Sequence, residues 1–122
     1  MSVQQYHYID LPVASQTPIA DPYTTVVTGT FRSETGVKLT VPGFYDGDNR
    51  WIVRFSPTEL GEWTWSIVCE DQPQLNDEGA LICVVNTHAK IHGGLQVNPE
   101  NSRYFRYADS TDYFMVAYEV DW

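Results

Sequence analysis

The side chains of this 122-residue sequence that could take part in acid–base chemistry lie near its end. Glu119 and Asp121 are two positions apart in an apolar run, so they share a face if that run is a β-strand. Paired carboxylates cleave glycosidic bonds when they flank the bond, about 5–5.5 Å apart in retaining enzymes or about 6.5–9.5 Å apart in inverting ones. A single strand supplies no opposing group, so on their own these two are solvated carboxylates. No catalytic residue is therefore expected in this chain.

Two other polar clusters have the residue types of metal ligands. Asp46, Asp48 and Asn49 lack the order and the distal glutamate of a calcium loop, and turn chemistry explains them better. His88 and His92 are four apart, but they fall in a predicted loop with no third ligand nearby. We therefore expect no metal and no cofactor. Motifs of serine esterases, phosphoryl-transfer enzymes and dinucleotide-binding redox enzymes are absent from the sequence.

Aromatic side chains are candidates for stacking against the apolar face of a sugar ring. Four of them could form such a platform: Tyr45, Trp51, Tyr104 and Tyr107. Trp51 follows the inward parity of its predicted strand, as do Trp63 and Trp65, so the three indoles are expected in the core. Tyr45 lies in a predicted turn outside that parity. It is therefore the expected surface contact for a glycan.

The stretch from Val41 to Trp65 organises the rest of the fold. Asp46 to Asn49 favours a chain reversal, which predicts a hairpin. Alternation then places side chains on a buried face on each side of a proline corner. There are three before the corner, Trp51, Val53 and Phe55, and four after it, Trp63, Trp65, Ile67 and Cys69. The pattern predicts a third strand after the hairpin.

The flanking segments are also assigned from composition and periodicity. The assignments are an edge strand in Met1 to Asp10, a connection in Leu11 to Pro22, strands in Tyr23 to Phe31 and Val37 to Val41, a loop in Glu70 to Glu78 and a strand in Gly79 to Val85. About seven short strands without helical periodicity predict an all-β fold, a β-sandwich of the immunoglobulin type. The sandwich is assigned to residues 1–93.

The last segment, residues 94–122, is predicted to be a separate hairpin linker followed by the start of another domain. Tyr104 to Tyr107 and Tyr113 to Phe114 would pair across a turn. Phe114 to Trp122 is apolar and ends in polar groups, as does the first strand of a (β/α)₈ barrel, which is buried on both sides. The sequence thus predicts a fragment of a longer protein, with the barrel of the same polypeptide as its partner.

Charge and cysteine content limit the partners and the compartment. Sixteen acidic and seven basic side chains give a net charge of −9, which opposes binding to nucleic acid or to an anionic membrane. Pairing of the flanking strands would place Cys69 opposite Gly79 and Cys83 opposite Trp65, so both thiols are expected to be free. Because Met1 is not followed by a signal peptide, the protein is cytoplasmic if Met1 is the native start and secreted if a signal was removed.

Several motifs carry a family resemblance when they are taken together in order. They are Pro42-Gly-Phe-Tyr-Asp-Gly-Asp48, Arg54-Phe-Ser-Pro57, Gly61-Glu-Trp-Thr-Trp65, His92-Gly-Gly-Leu-Gln-Val97 and Tyr104-Phe-Arg-Tyr-Ala-Asp109. With them the chain resembles the N-terminal immunoglobulin-like domain, of the DUF5060 type, of bacterial glycoside hydrolases with an apiosidase-like (β/α)₈ barrel. One departure is Ser110, which stands where that family usually has a turn glycine.

The resemblance implies a non-catalytic accessory domain that packs on the barrel and helps to shape its substrate cleft. The intact protein would then be a glycoside hydrolase, in which Glu119, Asp121, Trp122 and Tyr45 contact an oligosaccharide. Two alternatives remain open: an independent carbohydrate-binding module, and a structural protein-interaction domain. An exposed apolar patch near the C-terminal hairpin would favour the accessory domain, because such a patch marks a partner surface.

Overall fold

The computed structural model describes residues 1–120, which divide into two compact units. The first, the sandwich unit, is Met1–Thr87, and the second, the C-terminal unit, begins at His88. The predicted boundary between residues 93 and 94 lies a few residues later than this division and stays a prediction.

Strands dominate the sandwich unit, and the described part of the C-terminal unit has two short ones. In chain order they are β1 (Ser2–Gln4), β2 (Ile9–Ala14), β3 (Thr28–Ser33), β4 (Lys38–Pro42), β5 (Phe44–Gly47), β6 (Arg50–Phe55), β7 (Gly61–Val68), β8 (Asp77–Val84), β9 (Leu95–Val97) and β10 (Phe105–Tyr107). A single 3₁₀ turn, Pro73–Leu75, lies between β7 and β8 within residues 1–120. The predicted all-β sandwich is confirmed, and its immunoglobulin-type arrangement stays a prediction.

The sandwich unit consists of a five-stranded and a three-stranded sheet. The larger has the order β1-β8-β7-β3-β4 and the smaller the order β2-β6-β5. Neighbours are antiparallel except β1 and β8, which run parallel with Val3 opposite Cys83. The chain crosses between the sheets at Gly43, whose N–H donates to the carbonyl of Val27 at 2.7 Å.

Aromatic rings from both sheets meet in one core. Phe31 of β3 stacks on Phe55 of β6 with centroids 3.7 Å apart, and Trp63 of β7 meets Phe55 edge-on at 5.1 Å. The side chains predicted to face inward are buried, so the predicted parity of the central stretch is confirmed: Trp51, Val53, Phe55, Trp63, Trp65, Ile67 and Cys69. Burying aromatic side chains of this size is a main source of folding free energy.

The predicted hairpin between Phe44 and Trp51 is also confirmed. β5 and β6 pair on either side of a reversal in which Gly47, Asp48 and Asn49 have φ of 90°, 48° and 56°. Glycine, aspartate and asparagine tolerate this left-handed conformation better than other residues do, which is why the chain reverses here. Arg50 and Asp46 close the hairpin with an ion pair.

The prediction of a single N-terminal edge strand followed by a connection is wrong. Instead of one edge strand, β1 joins the five-stranded sheet and β2 joins the three-stranded sheet, with Tyr6 at φ 67° in the turn between them. Leu11 to Ala14, predicted to be a connection, belongs to β2 and includes Pro12. Because β2 has only β6 as a neighbour, a proline can occupy it without breaking a ladder on its outer side.

The predicted strand at Tyr23 begins late, at Thr28. The carbonyl of Asp21 accepts hydrogen bonds from the Thr24 N–H and from the Thr24 and Thr25 hydroxyls, which closes a turn in place of a strand ladder. The β-branched composition of this segment was therefore overridden by local side-chain to backbone bonding.

The cysteines are free, as predicted, although the predicted pairing register is wrong. Gly61 lies opposite Cys83, and Trp65 lies opposite Gly79. The loop is shorter than predicted because the 3₁₀ turn compacts it and the Asn76 side chain accepts a hydrogen bond from the Cys69 N–H at 2.8 Å. Burial raises the pKa of the Cys83 thiol.

The C-terminal unit pairs its strands differently from the prediction. β10 pairs with β9 rather than with Tyr113 and Phe114, and a lone bridge joins Arg106 to Asp112. A tight turn takes the place of the predicted hairpin loop, since the Tyr107 N–H donates to the carbonyl of Thr111 at 2.9 Å. Residues 114–120 are not in a strand, and their assignment to a barrel strand concerns a longer polypeptide and stays a prediction.

Candidate functional site

Exposed apolar side chains are concentrated in the C-terminal unit. Nine of them, between 41% and 92% exposed, define what we term the C-terminal apolar surface: Leu95, Val97, Tyr104, Phe105, Phe114, Met115, Val116, Tyr118 and Val120. Scattered apolar side chains are normal on a protein surface, but large contiguous sets mark interaction sites. Such a density in a segment of about 30 residues makes the C-terminal apolar surface a candidate interaction site.

A groove lies within this surface. It has a volume of about 270 Å³ and its lining is mostly apolar: Arg103, Tyr104, Phe105, Tyr113, Phe114 and Met115. Its aromatic, methionine and arginine side chains are the types that are enriched at the centres of protein–protein interfaces. The groove can therefore receive an apolar side chain from a partner.

A hydrogen-bonded turn underlies the C-terminal unit. The Asp109 carboxylate accepts bonds from the Thr111 hydroxyl at 2.6 Å, from the Thr111 N–H at 3.0 Å and from His92 Nδ1 at 2.7 Å. These bonds, led by that of the Thr111 hydroxyl, lower the pKa of Asp109 to about 2. Residue 110 of this turn is Ser110, with φ 71°. Glycine adopts this left-handed conformation without the strain that a Cβ causes.

His92 is not the plain linker histidine that its loop position suggested. Besides its bond to Asp109, its ring lies 5.1 Å from that of Tyr107, which in turn meets Tyr113 edge-on at 5.3 Å. These contacts join the start, middle and later part of the unit into one cluster. The spacing of 17 residues between His92 and Asp109 gave no sequence signal for this pairing.

The predicted substrate contacts at the end of the chain are only partly described. Glu119 is exposed and lies outside any strand, so no strand alternation fixes the direction of its side chain. Asp121 and Trp122 lie outside the described residues. The predicted shared face of Glu119 and Asp121, and the sugar contacts assigned to them, stay predictions.

Tyr45 was predicted to lie in a turn. It lies instead in β5, where it is partly buried. Its ring lies 5.0 Å from that of Trp51 and meets Tyr23 edge-on at 5.1 Å. Its hydroxyl accepts a hydrogen bond from the Asn49 N–H at 3.3 Å. The expectation that Tyr45 escapes the strand parity is therefore wrong, while a role in sugar contact stays a prediction.

The structure also shows a cluster that sequence reasoning missed, on the outer face of the three-stranded sheet. Arg54 donates Nε and Nη2 hydrogen bonds to Asp10 at 2.7 and 2.9 Å. Its guanidinium carbon lies 4.5 Å from the ring centroid of Tyr8 and 5.6 Å from that of Phe44. The bonded ion pair lowers the pKa of Asp10 and raises that of Arg54. Only the pairing of β2 with β6 brings these residues together.

Among residues 1–120, no three histidine, cysteine, aspartate or glutamate side chains are grouped so that they could hold a metal ion. That same part of the chain contains no helix with the length and apolar character needed to cross a membrane.

The chain is similar to a protein family and to a solved structure. The family described as domain of unknown function DUF5060 matches residues 2–70, more than half of the chain. A solved structure of a candidate glycoside hydrolase from Bacteroides vulgatus ATCC 8482 is similar over 93% of the chain, with 28% identity and a TM-score of 0.79. The match spans only 21% of that protein's chain. None of the curated proteins matches.

Proposed function

Because the chain belongs to the DUF5060 family, we propose that it is a non-catalytic N-terminal accessory part of a glycoside hydrolase. Its immunoglobulin-like sandwich precedes a (β/α)₈ barrel of the same polypeptide, and the C-terminal unit packs against that barrel. In this arrangement the chain supplies no catalytic carboxylate and helps to shape the substrate cleft.

The C-terminal apolar surface carries this proposal. Tyr118, Phe114 and Val116 are more than four-fifths exposed, and each would gain about 1.5–3 kcal/mol if it were fully buried. A barrel with apolar packing positions would supply that burial. The length of the Bacteroides vulgatus relative supports such a partner, because about four-fifths of its chain lies outside the match.

The hydrogen-bonded turn at Asp109 also supports the proposal, because it fixes where the apolar run begins. The bonds to His92 and Thr111 hold the polypeptide just before the apolar run, so the run leaves the unit from an ordered position. Polar residues at the end of the run, Glu119 among them, would then reach the end of the first barrel strand, where barrel enzymes bind substrate. Tyr45, Glu119, Asp121 and Trp122 are the proposed substrate contacts.

The first experiment is to determine the native gene beyond the codon for Trp122. We expect the reading frame to continue with about 250 or more residues of alternating strand and helix patterns. The longer protein should hydrolyse glycosides, whereas chain 1–122 should not. A stop codon directly after Trp122 would end the proposal.

A pair of matched variants then tests the docking surface in the longer protein. Phe114→Asp places a charge in the proposed interface and should lower the melting temperature and increase binding of a hydrophobic dye. Val85→Asp changes an exposed apolar side chain of the sandwich unit and should leave both measurements unchanged. Equal effects of the two variants would contradict docking through the C-terminal apolar surface.

A further inference from the structure

The outer face of the three-stranded sheet presents an ion pair between two exposed rings. Tyr8 is 63% and Phe44 is 42% exposed, and both rings lie beside the guanidinium of Arg54. Asp10 holds that guanidinium through two parallel hydrogen bonds. We term these four residues the Arg54 platform.

The ion pair retains bonding capacity toward a ligand. The two bonds to Asp10 use two of the five N–H donors of the guanidinium and two of about four acceptor positions of the carboxylate. Arg54 and Asp10 are half and one-third exposed, so solvent and ligand can reach them. Donors and acceptors side by side match a sugar hydroxyl, which donates one hydrogen bond while it accepts others.

The rings supply the apolar part of such a site. Since both lie close to the same guanidinium, the centroids of Tyr8 and Phe44 are at most about 10 Å apart. Strand register places Ile52 between Pro12 and Phe44 on the same face, and Ile52 is buried although it points away from the core. The exposed apolar groups of the site are therefore the two rings, Tyr8 and Phe44, whereas Ile52 contributes little accessible surface.

We propose that the Arg54 platform is a binding site for a neutral oligosaccharide. Tyr8 and Phe44 stack against the C–H faces of sugar rings, and the Arg54–Asp10 pair bonds the hydroxyls between them. The choice of a sugar rests on the proposed function, because a domain of a glycoside hydrolase works next to its polysaccharide. The site does not depend on docking to a barrel.

Charge separates this ligand class from others. The platform itself is neutral because Arg54 is paired with Asp10, while the chain carries a net charge of −9. An acidic polysaccharide is repelled by that net charge, and a cation is repelled by the Arg54 guanidinium, which lies against the Asp10 carboxylate. A neutral ligand that bonds and stacks is the class that fits.

The test is affinity electrophoresis of chain 1–122 in gels that contain a soluble polysaccharide. The neutral probes are arabinoxylan, xyloglucan, galactomannan and mixed-linkage β-glucan, and polygalacturonate is the acidic probe. We expect at least one neutral polysaccharide to slow the protein, and polygalacturonate to have no such effect. Tyr8→Ala and Arg54→Ala should each weaken that retardation at least tenfold, and Arg54→Lys should also weaken it because lysine lacks the planar fork.

Arg50→Ala is the matched control. Arg50 lies on the same strand and face as Arg54 and also pairs with an aspartate, Asp46. The Arg50→Ala variant should be retarded as strongly as the unaltered chain. Equal melting temperatures of all variants would exclude loss of folding as the cause of weaker retardation.

Three results would overturn the proposal. One is a lack of retardation by every neutral probe. Another is that Tyr45→Ala loses binding while Tyr8→Ala keeps it, which would place the sugar at the ring cluster of Tyr45. The third is a drop in the melting temperature of the longer protein, but not of chain 1–122, on Arg54→Ala, which would make the platform a protein interface. None of these depends on whether Phe114 docks, so the two proposals fail separately.

Discussion

The two units of the chain differ in whether they enclose a core of large aromatic side chains. In the sandwich unit, Phe31 and Trp63 are completely buried between two sheets, whereas Phe114 and Tyr118 of the C-terminal unit are 86% and 92% exposed. A pair of three-residue strands cannot enclose large rings, because a small two-stranded sheet has no second layer to cover it. The contrast shows that the sandwich unit contains its own core, while the C-terminal unit has the composition of a core without an enclosure.

The largest test of this contrast compares one buried and one exposed aromatic side chain. Trp63→Ala should lower the free energy of unfolding by about 3–5 kcal/mol, because it removes a buried indole and its hydrogen bond to the Glu59 carbonyl. Phe114→Ala should change it by less than about 0.5 kcal/mol. Urea unfolding followed by circular dichroism measures both. A comparable loss in the two variants would mean that Phe114 is enclosed within the isolated chain.

The second test compares packing around two glycines. A Cβ on Gly29 would lie 2.5 Å from Val53 Cγ1 and 2.9 Å from a ring carbon of Phe31, so Gly29→Ala should cost about 1–3 kcal/mol. A Cβ on Gly94, in the C-terminal unit, would meet no atom within 4 Å. Gly94→Ala should therefore be neutral within about 0.5 kcal/mol by the same unfolding measurement. If Gly29→Ala were also neutral, the two sheets could not be as tightly packed as they are here.

A third test uses the strained residue of the C-terminal unit. Ser110→Gly should stabilise the turn by about 0.5–1 kcal/mol, because glycine occupies a φ of 71° without the clash that a Cβ causes. Amide hydrogen exchange of Tyr107 and Ser110, which are hydrogen-bonded across the turn, should become slower. Ser102→Gly, at a position without positive φ, should have no such effect. Slower exchange in both variants would point to a general effect of glycine rather than to the turn.

The smallest expected effect is a pH dependence confined to the same turn. Asp109 has a pKa of about 2, below the ordinary 3.8, so its contribution is fully present above about pH 4 and is lost as the pH falls through 2. Carboxyl carbon NMR should show this midpoint, and Thr111→Val should move it upward by removing the strongest bond. A midpoint near 3.8 in the unaltered chain would contradict the bonds described for Asp109.

What the sequence could predict was set by local chemistry. The parity of Trp51, Val53 and Phe55 follows from strand alternation, and the hairpin follows from residues that tolerate positive φ, so both were predicted correctly. The apolar composition of the segment after Phe114 was also read correctly, whereas the exposure of its side chains had been named only as an observation that would favour the accessory domain.

What the sequence could not predict depends on which strands become neighbours. The pairing of Asp10 with Arg54 joins residues 44 positions apart, and nothing in either segment indicates the other. Pro12 was assigned to a connection because proline breaks central strands, yet an edge strand accepts it. Tyr45 was placed in the turn because the start of the reversal was set two residues too early. The Arg54 platform was missed for the first of these reasons.

The parallel pairing of β1 with β8 has a consequence for biosynthesis. Val3 lies opposite Cys83, so β1 has no strand partner until eighty more residues have been made. Contacts of such long sequence separation form late and slow the folding of a domain. We therefore expect β1 of the nascent chain to remain unpaired and accessible to chaperones until Val84 has emerged from the ribosome. The beginning of the chain is thus the last part of the sheet to be put in place.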